Sequence, residues 1–223
     1  MIPNITKILD LSKPIFTNCP GWPDLPTLKI DMIKTQSNDG YNLEELRDFN
    51  LHSTTHLDAP YHFINEGKKI NDISIDKFQG AAVVINLLHK NANERITDED
   101  LIPYDKKIKE GDIVILCTGW GQKRASSKEY MYEWPDLDGT GAKYLVSKKV
   151  KGVGIDGLSI GGYGEEKALP SHLTLFGAGI WVCEDMLIPK EIFTHERWYF
   201  TAFPLNVVGC SGSPVRALAM QFC

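Results

Sequence analysis

The stretch Ala81-Ala82-Val83-Val84-Ile85-Asn86-Leu87-Leu88 is a continuous apolar run rich in β-branched residues. Such a run reads as a strand buried on both faces, since a half-buried strand would alternate with polar residues. Asp112-Ile113-Val114-Ile115-Leu116-Cys117 repeats the pattern. Between the two, Thr97-Asp98-Glu99-Asp100 carries the marks of a helix start, with Thr97 as cap. Downstream, Gly139 to Val150 fits a helix, with Thr140 near its start, Leu145 and Val146 on the apolar side, and Lys148 and Lys149 at its end. Short strands follow at Val153–Asp156 and Trp181–Glu184, then longer ones at Arg197–Val208 and Val215–Phe222. Upstream, Ile8–Leu11 is a strand stopped by Pro14. The Pro/Gly-rich stretch Cys19–Pro26 is a loop. Thr27–Thr35 reads as a further strand, and Asn42–Phe49 as a short helix or a loop. The sum is an α/β or α+β fold with a mixed sheet, read as a single domain over residues 1–223.

The bulk composition narrows the function. Of the 223 residues, 43% are hydrophobic and 24% charged, which is ordinary for a folded protein. The formal net charge of -5 does not favour nucleic acid, which needs clustered Lys and Arg to displace phosphate counterions. No apolar run is long enough to span a membrane. The opening Met-Ile-Pro-Asn-Ile-Thr-Lys lacks the features of a signal peptide, so the expected location is cytoplasmic. The five cysteines form no C-x-x-C pair, which argues against a disulfide framework and a zinc-thiolate site. Cys117 and Cys183, inside apolar runs, read as core residues. Gly161-Gly162-Tyr163-Gly164 lacks a following Lys-Ser/Thr and opens no evident helix, so a phosphate cradle is poorly supported there.

The chemistry concentrates in His52-Ser53-Thr54-Thr55-His56-Leu57-Asp58-Ala59-Pro60-Tyr61-His62, which holds three of the six histidines. Fully extended, the ten steps from His52 to His62 would span roughly 33 Å, whereas metal ligands lie about 2 Å from their ion. A helix fails too, because Asp58 leaves the face shared by His52 and His56, and Pro60 breaks it. The segment must therefore be a strand end that bends at Asp58-Ala59-Pro60 and folds His62 back. Imidazoles with a carboxylate and no thiolate suit an open site for a divalent transition metal, which acidifies a bound water for attack on a carbonyl. Solvated histidines beside a turn are the plainer reading, and four metal-capable residues at this spacing argue against it. His89 and His195 read as surface residues, and Glu165-Glu166-Lys167 as an exposed loop.

The segment resembles the signature of the cyclase family, which includes bacterial kynurenine formamidases and isatin hydrolases and reads roughly H-x-G-[TA]-H-x-D-A-P-x-H. Thr54 stands where that pattern has Gly. Leu9–Pro14, Pro20-Gly21-Trp22-Pro23, Thr118-Gly119-Trp120, Gly154–Ile160 and Gly212–Ala219 are also similar to family stretches, with Gly161 replacing a final Asp. The resemblance implies a swivelling β/β/α fold. It implies that His52, His56 and Asp58 hold one metal, and that Asp58 bridges to a second completed by His172 and Glu184. It makes His62 the general acid/base and places Trp22 against an aromatic substrate. One or two divalent ions are expected, zinc first and manganese second, with a small aromatic amide as substrate and a homodimer or homotetramer as assembly. The reaction implied is hydrolysis of an arylformamide such as N-formylkynurenine. An isatin-type lactam hydrolase, or a non-catalytic metal-binding protein on the same scaffold, is the alternative. Taken alone, Glu184 is either a strand end in water or a buried, paired carboxylate, with Asp185 on the opposite strand face. His172 fits a surface loop equally well, and Trp22 a packing residue of its proline loop.

Overall fold

The computed structural model describes residues 4–223. Thirteen strands occur among them: β1 (Ile5–Asp10), β2 (Lys29–Lys34), β3 (Leu43–Arg47), β4 (His56–Asp58), β5 (Gln79–Asn86), β6 (Arg95–Ile96), β7 (Ile113–Cys117), β8 (Asp136–Leu137), β9 (Gly152–Ile155), β10 (Trp181–Glu184), β11 (Arg197–Thr201), β12 (Gly212–Pro214) and β13 (Leu218–Phe222). Nine form one mixed sheet in the order β1-β13-β11-β5-β7-β9-β10-β4-β12. Its centre, β5-β7-β9-β10, is parallel, and the strands on both flanks run antiparallel. This is the mixed sheet that the apolar runs imply. No helix among the described residues is long and apolar enough to cross a membrane.

The runs are apolar over Ala81–Ile85 and Ile113–Cys117 because side chains on both faces of these central strands enter a core. Ile113, Ile115 and Cys117 pack on one side with Leu57, Cys183, Trp198 and Phe200. Strands distant in sheet order thus share one core, so the sheet curls over its own inner face. Val114 and Leu116 point the other way and pack with Val83, Ile85, Val153 and Val182. Ala142 and Leu145 of the helix Gly139–Ser147 and Leu175 and Phe176 of the helix Glu165–Gly177 cover that face. Each of these fully buried Leu or Ile side chains contributes about 1.5–3 kcal/mol.

Several local expectations change. Asn42–Phe49 is neither helix nor loop: Leu43–Arg47 pairs with β2 as an antiparallel hairpin. A stretch this short does not sustain a helix alone, and here it finds a ladder partner. The helix expected over Gly139–Val150 ends at Ser147, and Asp138 caps its start by accepting from the amides of Thr140 and Gly141. The strand at Arg197 stops at Thr201, where Pro204 soon follows. Glu165–Lys167 is the exposed first turn of a helix with Gly164 at its N-cap, rather than a loop.

Candidate metal centre

Sheet register assembles the site. β4 pairs with β10 so that His56 faces Glu184 and Asp58 faces Val182. Strand alternation sends Leu57 and Cys183 into the inner core. His56, Asp58 and Glu184 therefore point to the opposite face, toward the helix Glu165–Gly177, which brings His172. His172 is thus a buried helical residue, not a surface-loop one, and Glu184 is buried and paired. Gly161 explains how the helix comes so near: an ideal Cβ there would lie 2.6 Å from Ala168 Cα. The Asp of the family pattern has no room at that position.

After Asp58 the chain bends through Ala59 into a short 3-10 turn, Pro60–His62. This folds His62 back onto His52, with ring centroids 3.9 Å apart and planes 18° from parallel. Thr54, where the family pattern has Gly, sits at φ 59°. A β-branched residue rarely enters this left-handed region, which glycine enters freely, and the Thr54 carbonyl accepts from His56 Nδ1 at 2.7 Å.

His52, His56 and His172 are each tethered on one nitrogen and aim the other at a carboxylate. His56 Nδ1 donates to the Thr54 carbonyl and His172 Nδ1 to the Ala168 carbonyl. A carbonyl only accepts, so in the neutral rings each Nε2 holds a lone pair. His56 Nε2 lies 3.2 Å from Asp58 Oδ1 and 3.5 Å from Glu184 Oε2, and His172 Nε2 lies 3.2 Å from Glu184 Oε1. His52 reaches Ser211 Oγ through Nε2 at 2.8 Å and Asp58 Oδ1 through Nδ1 at 2.6 Å. Glu184 Oε1 is further fixed by the amide of Ile160 at 2.6 Å and Ser159 Oγ at 3.1 Å. Asp58 Oδ2 is buried with no hydrogen-bond partner.

Lone pairs facing carboxylate oxygens repel unless positive charge lies between them. The titration behaviour expresses the same demand. Burial opposes charging His56, but Asp58 and Glu184 outweigh it and raise its pKa well above the ordinary value. Burial likewise opposes ionisation of Asp58, and His52, His56 and His62 overcome it, holding the carboxyl well below its usual range. Glu184 is drawn down to about 2 by His172 and His56 against burial and the neighbouring Asp58. A divalent ion supplies such charge, and ligands about 2 Å from one ion stand roughly 3.3 Å apart in a tetrahedral shell. Two groups fit: His52, His56 and Asp58, and Asp58, His172 and Glu184, each with ligand atoms within 4.8 Å of one another. The donor set and the orphaned Asp58 Oδ2 therefore suit the implied metal.

His62 stands apart from both groups. Its Nε2 is 3.8 Å from Asp58 Oδ2, its side chain is 30% exposed, and burial lowers its pKa to about 4. Trp22 is half-buried, 5.8 Å from the rings of both Trp134 and Tyr163, so it packs in an aromatic cluster and leaves part of its surface open. His89 and His195 are exposed, and Cys117 and Cys183 are buried. Sequence reading missed the tethers Ser159, Ile160 and Ser211, and also Phe63, which stacks on His172 at 4.3 Å and meets His62 edge-on at 4.5 Å. Phe63 follows His62 directly, so its position was the available signal. The backbone tethers carry no side-chain signature.

The chain is similar to known proteins over nearly its whole length. The chain is 28% identical over 212 residues to a kynurenine formamidase of Bacillus cereus, covering 94% of this chain and 95% of the relative. It is 30% identical over 216 residues to a kynurenine formamidase of Bacillus thuringiensis, with the same coverage. Among solved structures, isatin hydrolase A from Labrenzia aggregata superposes with a TM-score of 0.85 at 22% identity, covering 96% of this chain and 93% of that one, which is a likeness of fold. A structure described as a predicted metal-dependent hydrolase from Bacillus stearothermophilus gives 0.77 at 30% identity, covering 96% and 98%. The model of the family described as putative cyclase matches residues 9–161, and the chain belongs to that family.

Proposed function

We propose that this chain, acting as one hydrolase domain, cleaves the carbon–nitrogen bond of a small aromatic amide, with an arylformamide as the favoured substrate. The observation that carries this is the convergence of three imidazole nitrogens on two buried carboxylates, one of which keeps an oxygen, Asp58 Oδ2, without a hydrogen-bond partner. His52, His56 and Asp58 would hold one divalent ion, and Asp58, His172 and Glu184 a second. Zinc is the first choice for these ligands and manganese the second. When bound, such ions acidify water and polarise a carbonyl oxygen.

The remaining steps belong to the chain. With a pKa near 4, His62 is neutral at pH 7 and can accept a proton at Nε2. It is the general base toward the attacking water, and it then delivers that proton to the departing nitrogen. A carbon–oxygen bond forms, the carbon–nitrogen bond breaks, and the products are formate and an arylamine. Stacking on His52 and the edge contact with Phe63 hold the His62 ring in place. The open surface of Trp22 would take the aryl group. Assembly as a homodimer or homotetramer and a cytoplasmic location complete the proposal.

The deciding experiment measures metal per chain in purified protein and compares turnover of N-formylkynurenine with turnover of isatin. One or two transition-metal ions and faster formamide cleavage are expected. A metal-free, active protein would refute the site, and preference for isatin would refute the substrate.

A further inference from the structure

Just beyond the facing ligands His56 and Glu184 lies a second buried polar cluster. The Lys13 side chain is fully buried, and its Nζ donates to Asp185 Oδ1 and to the Tyr130 hydroxyl. Tyr130 also donates to Asp185 Oδ1 at 3.2 Å. Taking an ammonium and a carboxylate out of water costs several kcal/mol per ion, recovered only with good geometry and further hydrogen bonds. Burial of this pair beside two more buried carboxylates therefore needs a reason.

The register supplies one. In the β4–β10 ladder the next facing pair after His56 and Glu184 would be Thr55 and Asp185. No ladder bond joins them. Asp185 enters the left-handed region at φ 53° and its amide turns away to the Gly157 carbonyl at 2.8 Å. The Thr55 carbonyl is taken by the amide of Val215. What joins the strands here is the Thr55 hydroxyl, which donates to the Asp185 carbonyl at 2.8 Å and accepts from the Lys13 amide at 2.9 Å. Lys13 thus grips both strand ends, Thr55 through its amide and Asp185 through its ammonium.

We propose that Lys13, with Thr55 and Asp185, is a positioning residue that fixes the separation of the ligands His56 and Glu184, and so the affinity and geometry of the metal centre. The inference rests on the ligand roles proposed above. Removing the ammonium leaves the buried Asp185 carboxylate, next in sequence to Glu184, with the Tyr130 hydroxyl but no cation beside it. The strand end then relaxes, and Glu184 moves with it.

Cobalt(II) titration of the apoprotein, followed by visible absorption, tests this, because the d–d bands report ligand geometry independently of turnover. Failure of the wild type to bind cobalt overturns the ligand assignment itself. If the wild type binds, Lys13→Met is expected to lose at least about tenfold in affinity and to shift the bands, as outer-shell changes do. Thr55→Val, which keeps the side-chain shape, should shift the bands in the same direction and decides the matter if Lys13→Met does not fold. Leu145→Ala, a core change in a covering helix, controls for lost stability and should leave the bands in place. Wild-type affinity and spectrum in folded Lys13→Met, or in Thr55→Val where only that variant folds, overturn the inference.

Discussion

Gly212→Ala should weaken metal binding without removing a ligand. Gly212 faces Asp58 across the β4–β12 pair. A Cβ there would lie 2.6 Å from His52 Cε1 and 2.7 Å from the Leu57 carbonyl oxygen. Heavy atoms in good contact are about 3.5–4.0 Å apart, so roughly 1 Å must be found. The Leu57 carbonyl belongs to a strand paired on both sides, whereas the His52 side chain is 18% exposed and is the softer neighbour. The imidazole is expected to yield, breaking the 2.6 Å contact with Asp58 and the 2.8 Å contact with Ser211. Displacing one ligand's orientation is worth about 10–100-fold in metal affinity, or about 1.4–2.7 kcal/mol. The assay is competition with a chromophoric chelator, alongside thermal unfolding of the apoprotein. Affinity within about threefold of wild type in a folded Gly212→Ala protein would show that metal binding does not depend on His52 as held by Asp58 and Ser211.

Asp58→Asn should cut metal content to under about a tenth of wild type by elemental analysis, because both ligand groups share that carboxylate. Retention of one full equivalent would mean that the two groups do not depend on it jointly. His62→Asn is expected to lower kcat about 10²–10⁴-fold with metal content unchanged; parallel loss of metal would make His62 a ligand. Asp136 gives a pH signature in stability. Burial, against the opposing pull of Arg95, raises its pKa from 3.8 to about 6. The folded state therefore binds this proton more tightly than the unfolded one, and stability falls as pH rises from about 4 to about 6, by up to about 3 kcal/mol. Asp136→Asn should flatten that segment of the unfolding-midpoint profile, and an unchanged slope would reassign it to another group.

The central strands were legible because burial leaves an unbroken apolar run, which Ala81–Ile85 of β5 and Ile113–Cys117 of β7 display. The hairpin β2–β3 was not. Leu43–Arg47 is exposed throughout and carries two acidic residues, so its strand state comes from its partner and not from its own pattern. The helix carrying His172 was hidden for another reason. Its start is marked by Gly164 in place of a side-chain cap, and it contains Pro170, which ordinarily argues against a helix interior. Packing against the sheet overrides both signals.

The site divides along the same line. His52 to His62 declared its chemistry because the ligands are close in sequence and their residue types are costly to place together by accident. The tethers did not, since Thr54, Ala168 and Ile160 act through backbone atoms that any residue would supply. Thr54 is the instructive case. A threonine fills a position where the family pattern has glycine, and it takes φ 59°, a value glycine adopts freely. A left-handed residue of this type carries about 1–2 kcal/mol of strain. The surroundings hold it: Thr54 is 3% exposed, and its carbonyl is bonded to His56 Nδ1. That bond leaves Nε2 as the nitrogen facing Asp58 and Glu184, so the strained peptide and the tautomer of a proposed ligand are one structural fact. His56 is tethered by the carbonyl of residue 54, an atom that any side chain at this position would leave in place.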